Sequence, residues 1–276
     1  MHNLAFRGLR LPRLGAMRGG GGGGGGGGYN YAADGTLLFW MDAGRFDGTN
    51  PTSGSTLTEN WGNRMGGAYP RFRQPTAGNQ PTLAQVNDIW VADFGAAINN
   101  ASTFAGMRYM RFVNSAGTNI TVDAVDTHTM ALIYIGDTVG SRYLLGLDDD
   151  DVNRQIGLNN GTARVVGSPV LWNNQLQDGP TITRNNWYLF EAILRGDGNA
   201  SSIWLNGVQR DTTTFDQTSS VLIDLVGAGK ATALSERRNL GGKIARMLTY
   251  DITAGLAPGA ADARADMRAL QLALEA

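Results

Sequence analysis

Apolar and polar residues alternate over short runs from residue 36 onward, and turn-forming residues separate these runs. A repeat of two is typical of strands that bury one face. Eleven segments have this character and are predicted as strands: 36–42, 88–94, 108–114, 128–136, 141–147, 154–158, 162–166, 187–194, 201–206, 221–226 and 243–251. So many short strands favour two antiparallel sheets packed face to face.

The pattern changes after Pro258. Ala263, Met267, Leu270 and Leu274 recur at intervals of three or four residues, which places them on one face of a helix. A proline at the start of such a segment is also typical of a helix N-terminus. We therefore predict one short C-terminal helix that closes the fold.

Glycine and cysteine counts support an all-β chain and remove several chemistries. Of 39 glycines, ten form the uninterrupted tract 19–28, and the others are scattered as expected for a chain rich in turns. The chain contains no cysteine, which excludes disulfides, thiolate metal sites and a cysteine nucleophile.

The first 28 residues are predicted to be separate from the folded domain, 29–276. Gly8, Pro12 and Gly15 interrupt residues 1–18 and prevent a long helix, so we expect a basic, extended anchor. Its docking residues are predicted to be Phe6, Arg7, Leu9, Arg10, Leu11, Arg13, Leu14 and Arg18. Residues 19–28 are expected to be a flexible tether, or a rigid strand if neighbouring chains pack closely against the glycines.

Charge is distributed unevenly along the chain. The net charge is −1, and the first 33 residues carry four arginines and no acid, which leaves about −5 for the rest. Four dispersed arginines are too few for a nucleic-acid-binding arm. No segment approaches the ~18 apolar residues of a membrane span, and the N-terminus lacks a signal-peptide pattern. We expect neither nucleic-acid binding, nor membrane insertion, nor export by the usual signal.

Three segments, taken in order, resemble the concanavalin-like or laminin-G-like jelly roll. The first is 37–43, followed by Trp61-Gly62-Asn63 and by 71–81; the second is 186–190, followed by 202–207; the third is 240–251. The second ends in Asn206-Gly207, a pair that tolerates the positive φ of a tight turn. This resemblance implies an all-β, two-sheet antiparallel jelly-roll sandwich with a short C-terminal helix and an extended N-terminal arm.

The anchor and the glycine tract lie outside that family. An extended arm joined by glycines to a jelly roll is similar in layout to virion fibres and spikes of phages and gene transfer agents, an analogy of architecture. It implies a virion structural protein, a head or tail spike or fibre subunit, made in the bacterial cytoplasm and displayed on the virion surface. Its expected partners are capsid or tail proteins, further copies of itself in a trimer or pentamer, and cell-surface polysaccharide.

Two other functions remain open at this point. One is an architectural capsid decoration protein without glycan binding, and the other is a polysaccharide-degrading enzyme on the same fold. Glycosidases on this fold need closely spaced carboxylates, but the chain has four dispersed glutamates. We therefore predict no catalytic residues and no enzymatic activity.

Glu191 and His128 are the candidates that an enzyme would need. Glu191 alternates with Trp187, Leu189 and Ile193, so it shares their apolar face, either as an acid of raised pKa or as a structural carboxylate. His128 begins a predicted strand, where it is expected at the solvent edge. No Gly-x-Ser-x-Gly segment accompanies it.

The run 148–151 consists of four aspartates, whose mutual repulsion is relieved by water or by a bound hard cation. Asp148, Asp149 and Asp151 are the predicted ligands of calcium, the candidate cofactor. A solvated acidic turn is the alternative.

Sugar binding needs a flat apolar ring beside groups that donate and accept hydrogen bonds. Trp172, Asn173 and Asn174 combine these features in a loop-like segment, and Tyr69 has similar surroundings in sequence. We predict that these four residues bind carbohydrate; the alternative for Trp172 is packing onto a sheet. Tryptophans within predicted strands, Trp40, Trp187 and Trp204, are expected in the core.

Overall fold

A computed structural model describes residues 36–43, 71–98, 101–114, 116–136, 142–148, 155–159, 162–166, 175–177, 183–196, 200–214, 221–231 and 236–276. Within these ranges the chain forms nineteen strands, one α-helix and a short 3-10 turn, Ala77–Asn79. The first ten strands are β1 (Leu37–Asp42), β2 (Arg71–Arg73), β3 (Thr82–Val86), β4 (Ile89–Asp93), β5 (Met110–Val113), β6 (Val122–Asp123), β7 (Thr127–Ile135), β8 (Arg142–Gly146), β9 (Gln155–Asn159) and β10 (Thr162–Val166). The others are β11 (Gln175–Gln177), β12 (Asn186–Leu194), β13 (Ala200–Leu205), β14 (Val208–Thr214), β15 (Leu222–Ile223), β16 (Leu225–Val226), β17 (Ala228–Ala231), β18 (Glu236–Asn239) and β19 (Gly242–Asp251), followed by α1 (Ala260–Glu275).

Two antiparallel sheets contain most of these strands. Sheet I has eight described strands in the order β14-β13-β12-β7-β19-β4-β3, with β1 also paired to β19. Sheet II has seven in the order β11-β10-β9-β8-β16-β5-β2. Two ribbons, β6 with β15 and β17 with β18, complete the strands that the structure describes. The predicted all-β antiparallel sandwich is confirmed.

Alternation of side chains along the strands produces a buried layer between the sheets. Phe39 of sheet I meets Phe72 and Phe112 of sheet II edge to face, with ring centroids 5.7 and 5.8 Å apart. Phe72 and Phe112 are 4.8 Å apart. All three are fully buried, and such aromatic contacts stabilise a core beyond the area that they bury.

The single described helix covers the outer face of sheet I. Ala263, Met267, Leu270 and Leu274 are buried, as predicted, and they form one cluster with apolar side chains from several strands of the sheet, among them Leu132. The sheet is therefore packed on both faces, which explains the nearly continuous apolar sequences of its central strands. In the described part of the chain, no helix is long and apolar enough to cross a membrane.

The Asn206-Gly207 pair forms the turn between β13 and β14. Both residues have positive φ, 54° and 76°, and Leu205 pairs directly with Val208. The Asn206 side chain also accepts a hydrogen bond from the Leu189 backbone N–H at 3.0 Å. The predicted tight turn is confirmed, and its asparagine has a second role in joining β12 to the hairpin.

Candidate functional site

Most residues predicted as functional lie outside the described part of the chain. They are Tyr69, Asp149, Asp151, Trp172, Asn173, Asn174 and every anchor residue from Phe6 to Arg18. Their roles stay predictions. Asp148 lies within the described ranges, and its surroundings can be stated.

Asp148 belongs to a network with Arg111, Asp224 and Arg237, which we name the Arg111 cluster. The Arg111 guanidinium donates to Asp148 Oδ2 at 2.5 Å and to Asp224 Oδ2 at 3.3 Å. Asp148 donates its backbone N–H to Asp224 Oδ1 at 2.9 Å, and Arg237 Nη2 lies 3.7 Å from Asp148 Oδ1. The network holds two cations and two carboxylates in fixed positions.

Strand geometry places the cluster on the outer face of sheet II. Met110 and Phe112 belong to the core between the sheets, so Arg111, between them in β5, faces outward. Asp224 separates β15 from β16, and its backbone joins β5 to β8. Its N–H donates to the Gly146 carbonyl, and its carbonyl accepts from the Phe112 N–H, both at 2.9 Å.

Side chains of the cluster are accessible only in part. Arg111 and Arg237 are each 20% exposed, Asp148 is 21% exposed and Asp224 is 16% exposed. Burial raises the pKa of Asp224 to about 6, although the Asp148 N–H and the Arg111 guanidinium act in the opposite direction. Burial also opposes the charge of Arg111, yet its pKa is raised because Asp148 accepts its hydrogen bond. A shifted carboxyl beside a specific charge partner is typical of functional sites, although structural networks also produce it.

Two aromatic rings lie beneath the arginines. The Arg237 guanidinium is 4.9 Å from the Phe104 ring centroid, and that of Arg111 is 5.6 Å from the Tyr109 centroid. Phe104 and Tyr109 contact each other at 4.9 Å and form a small apolar cluster with Leu225. The charged groups therefore have an apolar base, which favours cation–π attraction over full hydration.

The ribbon β17–β18 carries Arg237 across the outer face of sheet II. Gly146 of β8 and Gly229 of β17 permit this close approach. A Cβ at Gly146 would lie 2.4 Å from the Ala228 carbonyl oxygen, and one at Gly229 would lie 2.3 Å from the Tyr143 ring. These glycines fix the distance between the ribbon and the sheet.

Of the predicted calcium ligands, Asp148 lies within the described residues, and Asp149 and Asp151 lie outside them. The described residues contain no group of three or more His, Cys, Asp or Glu side chains that could hold a metal ion. Both oxygens of Asp148 face arginine nitrogens, so a calcium ion would compete with these cations. Calcium binding through Asp149 and Asp151 stays a prediction.

A second charged network lies between sheet I and α1. Glu191, 0% exposed, lies on the face of Trp187, Leu189 and Ile193, as predicted. Arg264 of the helix donates to both Glu191 oxygens at 2.8 to 3.0 Å, and His128 Nε2 lies 3.0 Å from Glu191 Oε2.

These contacts decide the two roles considered for Glu191. Burial tends to raise its pKa, but the hydrogen bonds from His128 and Arg264 outweigh burial and lower it. The alternative of an acid with raised pKa is therefore wrong for Glu191. The expectation that His128 lies at the solvent edge is also wrong, because this residue is 1% exposed.

Strands β8 and β10, which precede the predicted calcium and sugar segments in the sequence, end at the end of sheet II where the Arg111 cluster lies. β8 and β10 both pair antiparallel with β9, so they run in the same direction. Asp148 follows β8, and the chain continues from β10 toward Trp172. Leu225 pairs with both Gly146, the last residue of β8, and Arg111.

The sequence alone does not identify Arg111, Asp224 or Arg237 as site residues. A signal existed for two of them, because Arg111 interrupts the apolar run 109–113 and Asp224 interrupts 221–226. Their proximity depends on the pairing of β5, β16 and β8. No local pattern specifies that pairing.

Comparison with known proteins finds distant similarity in fold. The binding domain of botulinum neurotoxin DC in complex with SialylT matches at TM-score 0.47 and 9% identity, over 87% of this chain and 52% of that chain. The binding domain of Paraclostridial Mosquitocidal Protein 1 matches at TM-score 0.44 and 13% identity, over 78% and 49%. Domain 4 of AbnA, a GH43 extracellular arabinanase from Geobacillus stearothermophilus, in complex with arabinotriose, matches at TM-score 0.44 and 13% identity, over 86% and 99%.

This chain thus spans about half the length of the two toxin domains. No protein-family model matches the sequence, and no curated protein matches it. At these identities the similarity concerns the arrangement of strands and says nothing of what this chain binds.

Proposed function

We propose that this chain is a non-enzymatic, polysaccharide-binding subunit of a phage-like particle. Residues 1–18 dock to a capsid or tail protein, residues 19–28 tether the sandwich, and the outer face of sheet II contacts cell-surface polysaccharide. The Arg111 cluster is the observation that supports polysaccharide binding. The anchor and the glycine tract of the sequence support docking to a particle.

The cluster has the chemistry that sugar hydroxyls require. Guanidinium groups donate in a fixed plane, and carboxylates accept, so neighbouring hydroxyls can pair with both. Each charged side chain is 16 to 21% exposed, enough for contact at the surface. Phe104 and Tyr109 provide an apolar base beside these groups.

Fixed positions reduce the entropy cost of binding. Arg111 is held by two carboxylates, and Arg237 Nη1 donates to the Ser102 carbonyl at 2.5 Å. Long charged side chains that are already ordered lose little freedom when a ligand arrives. Weak binding at each site would be multiplied by many copies on one particle.

The polysaccharide part is tested with Arg111→Gln and a charge-matched control, Arg210→Gln. Arg210 is exposed on β14 of sheet I. We expect Arg111→Gln to lower adsorption of the full-length protein to capsulated cells at least tenfold, and Arg210→Gln to leave it unchanged. Circular dichroism and thermal unfolding check that both variants fold. Equal adsorption by both variants would remove the cluster from the binding site.

The particle part is tested by expressing the full chain, or a version lacking residues 1–28, beside the remaining particle genes. We expect the full chain to co-purify with particles and the shortened chain to be absent from them. Incorporation without the arm would overturn docking by residues 1–18. Incorporation together with no adsorption to any capsulated cell would favour a purely architectural role.

A further inference from the structure

A row of polar side chains crosses the outer face of sheet I, apart from the Arg111 cluster. The row consists of Thr82 on β3, Asp93 on β4, Lys243 on β19 and Tyr134 on β7, and we name it the Lys243 row. Each member pairs directly with the next in the strand register. All four are partly exposed.

Further polar groups extend the row at both ends. Arg108, 34% exposed, donates to Thr82 Oγ1 at 3.1 Å and lies 3.9 Å from Asp93 Oδ1. Tyr134 donates its hydroxyl to Asn185 Oδ1 at 3.2 Å, and Asn185 is exposed. Neighbouring strands of a sheet lie about 4.8 Å apart, so the four strands of the row span ~14 Å.

The charges of this surface do not balance. Arg108 and Lys243 are cations, whereas Asp93 is the one carboxylate that contacts them in the described part of the chain. Lys243 Nζ lies 3.9 Å from Asp93 Oδ2 and 4.8 Å from the Tyr134 ring centroid. The distance from Nζ to Asp93 Oδ2 exceeds that of a hydrogen bond, so the N–H groups of Lys243 can donate to a ligand.

Lys243 is also held in place before any ligand binds. Its ammonium lies over the face of Tyr134, and Tyr134 packs at 5.4 Å against Trp187, which is buried. A cation over an aromatic face is attracted to it. Folding alone does not explain the row, since exposed ion pairs at such distances contribute little stability.

We infer that the Lys243 row is a second saccharide-binding surface, which takes a short, linear, acidic oligosaccharide. A sugar carboxylate pairs with Lys243, and hydroxyls of neighbouring units pair with Thr82, Asp93 and Asn185. This surface is on sheet I, so it is separate from the polysaccharide site proposed on sheet II. The two outer faces together allow one chain to contact two strands of a capsule.

The test measures affinity of the full-length protein for an acidic oligouronate and for a neutral oligoglucose by calorimetry. Lys243→Gln is expected to lower oligouronate affinity about fivefold to tenfold, the effect of losing one charged hydrogen bond. Lys243→Arg should restore most of it, and the charge-matched Arg210→Gln should not change it. Tyr134→Phe, which keeps the ring, should lower affinity about twofold to threefold.

Two results would overturn the inference. One is oligouronate affinity unchanged in Lys243→Gln, and the other is a loss in Lys243→Gln no larger than in Arg210→Gln. Arg111→Gln separates the two sites, because it is expected to leave oligouronate binding at the Lys243 row intact. If Arg111→Gln removes all oligouronate binding and Lys243→Gln removes none, the acidic sugar binds the Arg111 cluster instead.

Discussion

Asp224 is a carboxylate held between two strands of sheet II, where 16% of its side chain is exposed. Its backbone is fixed by hydrogen bonds to Gly146 and Phe112, and its carboxylate accepts from the Asp148 N–H and the Arg111 guanidinium, so the folded chain holds it largely shielded from water. Charge at this position is therefore tied to the stability of the fold.

The raised pKa of Asp224 gives a stability change of definite sign. Folding favours the protonated form, so the contribution is complete below the ordinary value of 3.8 and is lost as pH rises through about 6. The loss is on the order of 3 kcal/mol. The side chain introduced by Asp224→Asn carries no titrating proton, so this loss is absent from the variant. The stability of the variant relative to the native protein should therefore be greater at about pH 8 than at about pH 4. Urea unfolding of both proteins at the two pH values measures this difference. The same pH dependence of the free energy of unfolding in both proteins would contradict the prediction.

Arg264 balances the buried charge of Glu191, and its removal should be costly. Arg264→Met is expected to lower the free energy of unfolding by about 3 kcal/mol, because it leaves a buried carboxylate with His128 alone. Arg268, which bonds Gln271 on the same helix, is a matched control. Arg268→Met should cost less than about 1 kcal/mol. A similar loss in both variants would show that the helix loses general packing and not a charge partner.

The sequence revealed part of this chemistry at the residue scale. It placed Glu191 on the correct face, because alternation within one strand is local information. It missed the contact with His128, which is 63 residues away, and placed His128 at the solvent edge. Arg264 lies in a helix that was predicted, but no local pattern indicates which side of that helix faces β12.

At the scale of elements, the helix α1 is the cover of sheet I. Leu270 is buried against the sheet, whereas Leu272, two residues later, is 60% exposed. Leu270→Ala should therefore lower the free energy of unfolding by about 2 to 4 kcal/mol, and Leu272→Ala by less than about 0.5. Chemical unfolding of the two variants measures the difference. Equal effects would mean that the helix does not pack as described.

The ribbon β17–β18 should be sensitive to a single methyl group. Gly229→Ala places a Cβ 2.3 Å from the Tyr143 ring, whereas Gly78→Ala meets nothing within 4 Å. We expect Gly229→Ala to cost about 1 to 3 kcal/mol and to weaken polysaccharide adsorption, because the ribbon carries Arg237. Gly78→Ala should change neither. Unaltered adsorption in Gly229→Ala would show that the ribbon position does not matter for the site.

Strands were predictable where burial produces a clear pattern. The predicted segment 162–166 coincides with β10. The segment 128–136 is shifted by one residue from β7, and 187–194 lacks only the first residue of β12. The edge strand β14, rich in polar residues, was missed because its sequence carries little alternation. The predicted strand 221–226 is divided at Asp224 into β15 and β16, which pair with different partners.

At the scale of the molecule, the sandwich has two chemically different outer faces. Sheet II carries the Arg111 cluster, and sheet I carries α1 and the Lys243 row. Composition and the spacing of turn-forming residues predicted the sandwich because they indicate how many short strands the chain forms. Neither reports strand order, so the surfaces that depend on strand order could not be predicted from sequence.

The pairing of β1 with β19 also determines when the protein can fold. Asp42 and Arg246, joined by a hydrogen bond, are 204 residues apart, and β19 also pairs with β7 and β4. A chain emerging from the ribosome holds the apolar segment Leu37–Asp42 without its partner strand until β19 (Gly242–Asp251) has been made. Contacts of such long range are slow to form, and the unpaired strand is prone to aggregate meanwhile. The rate of synthesis and the supply of chaperones should therefore govern the yield of folded protein.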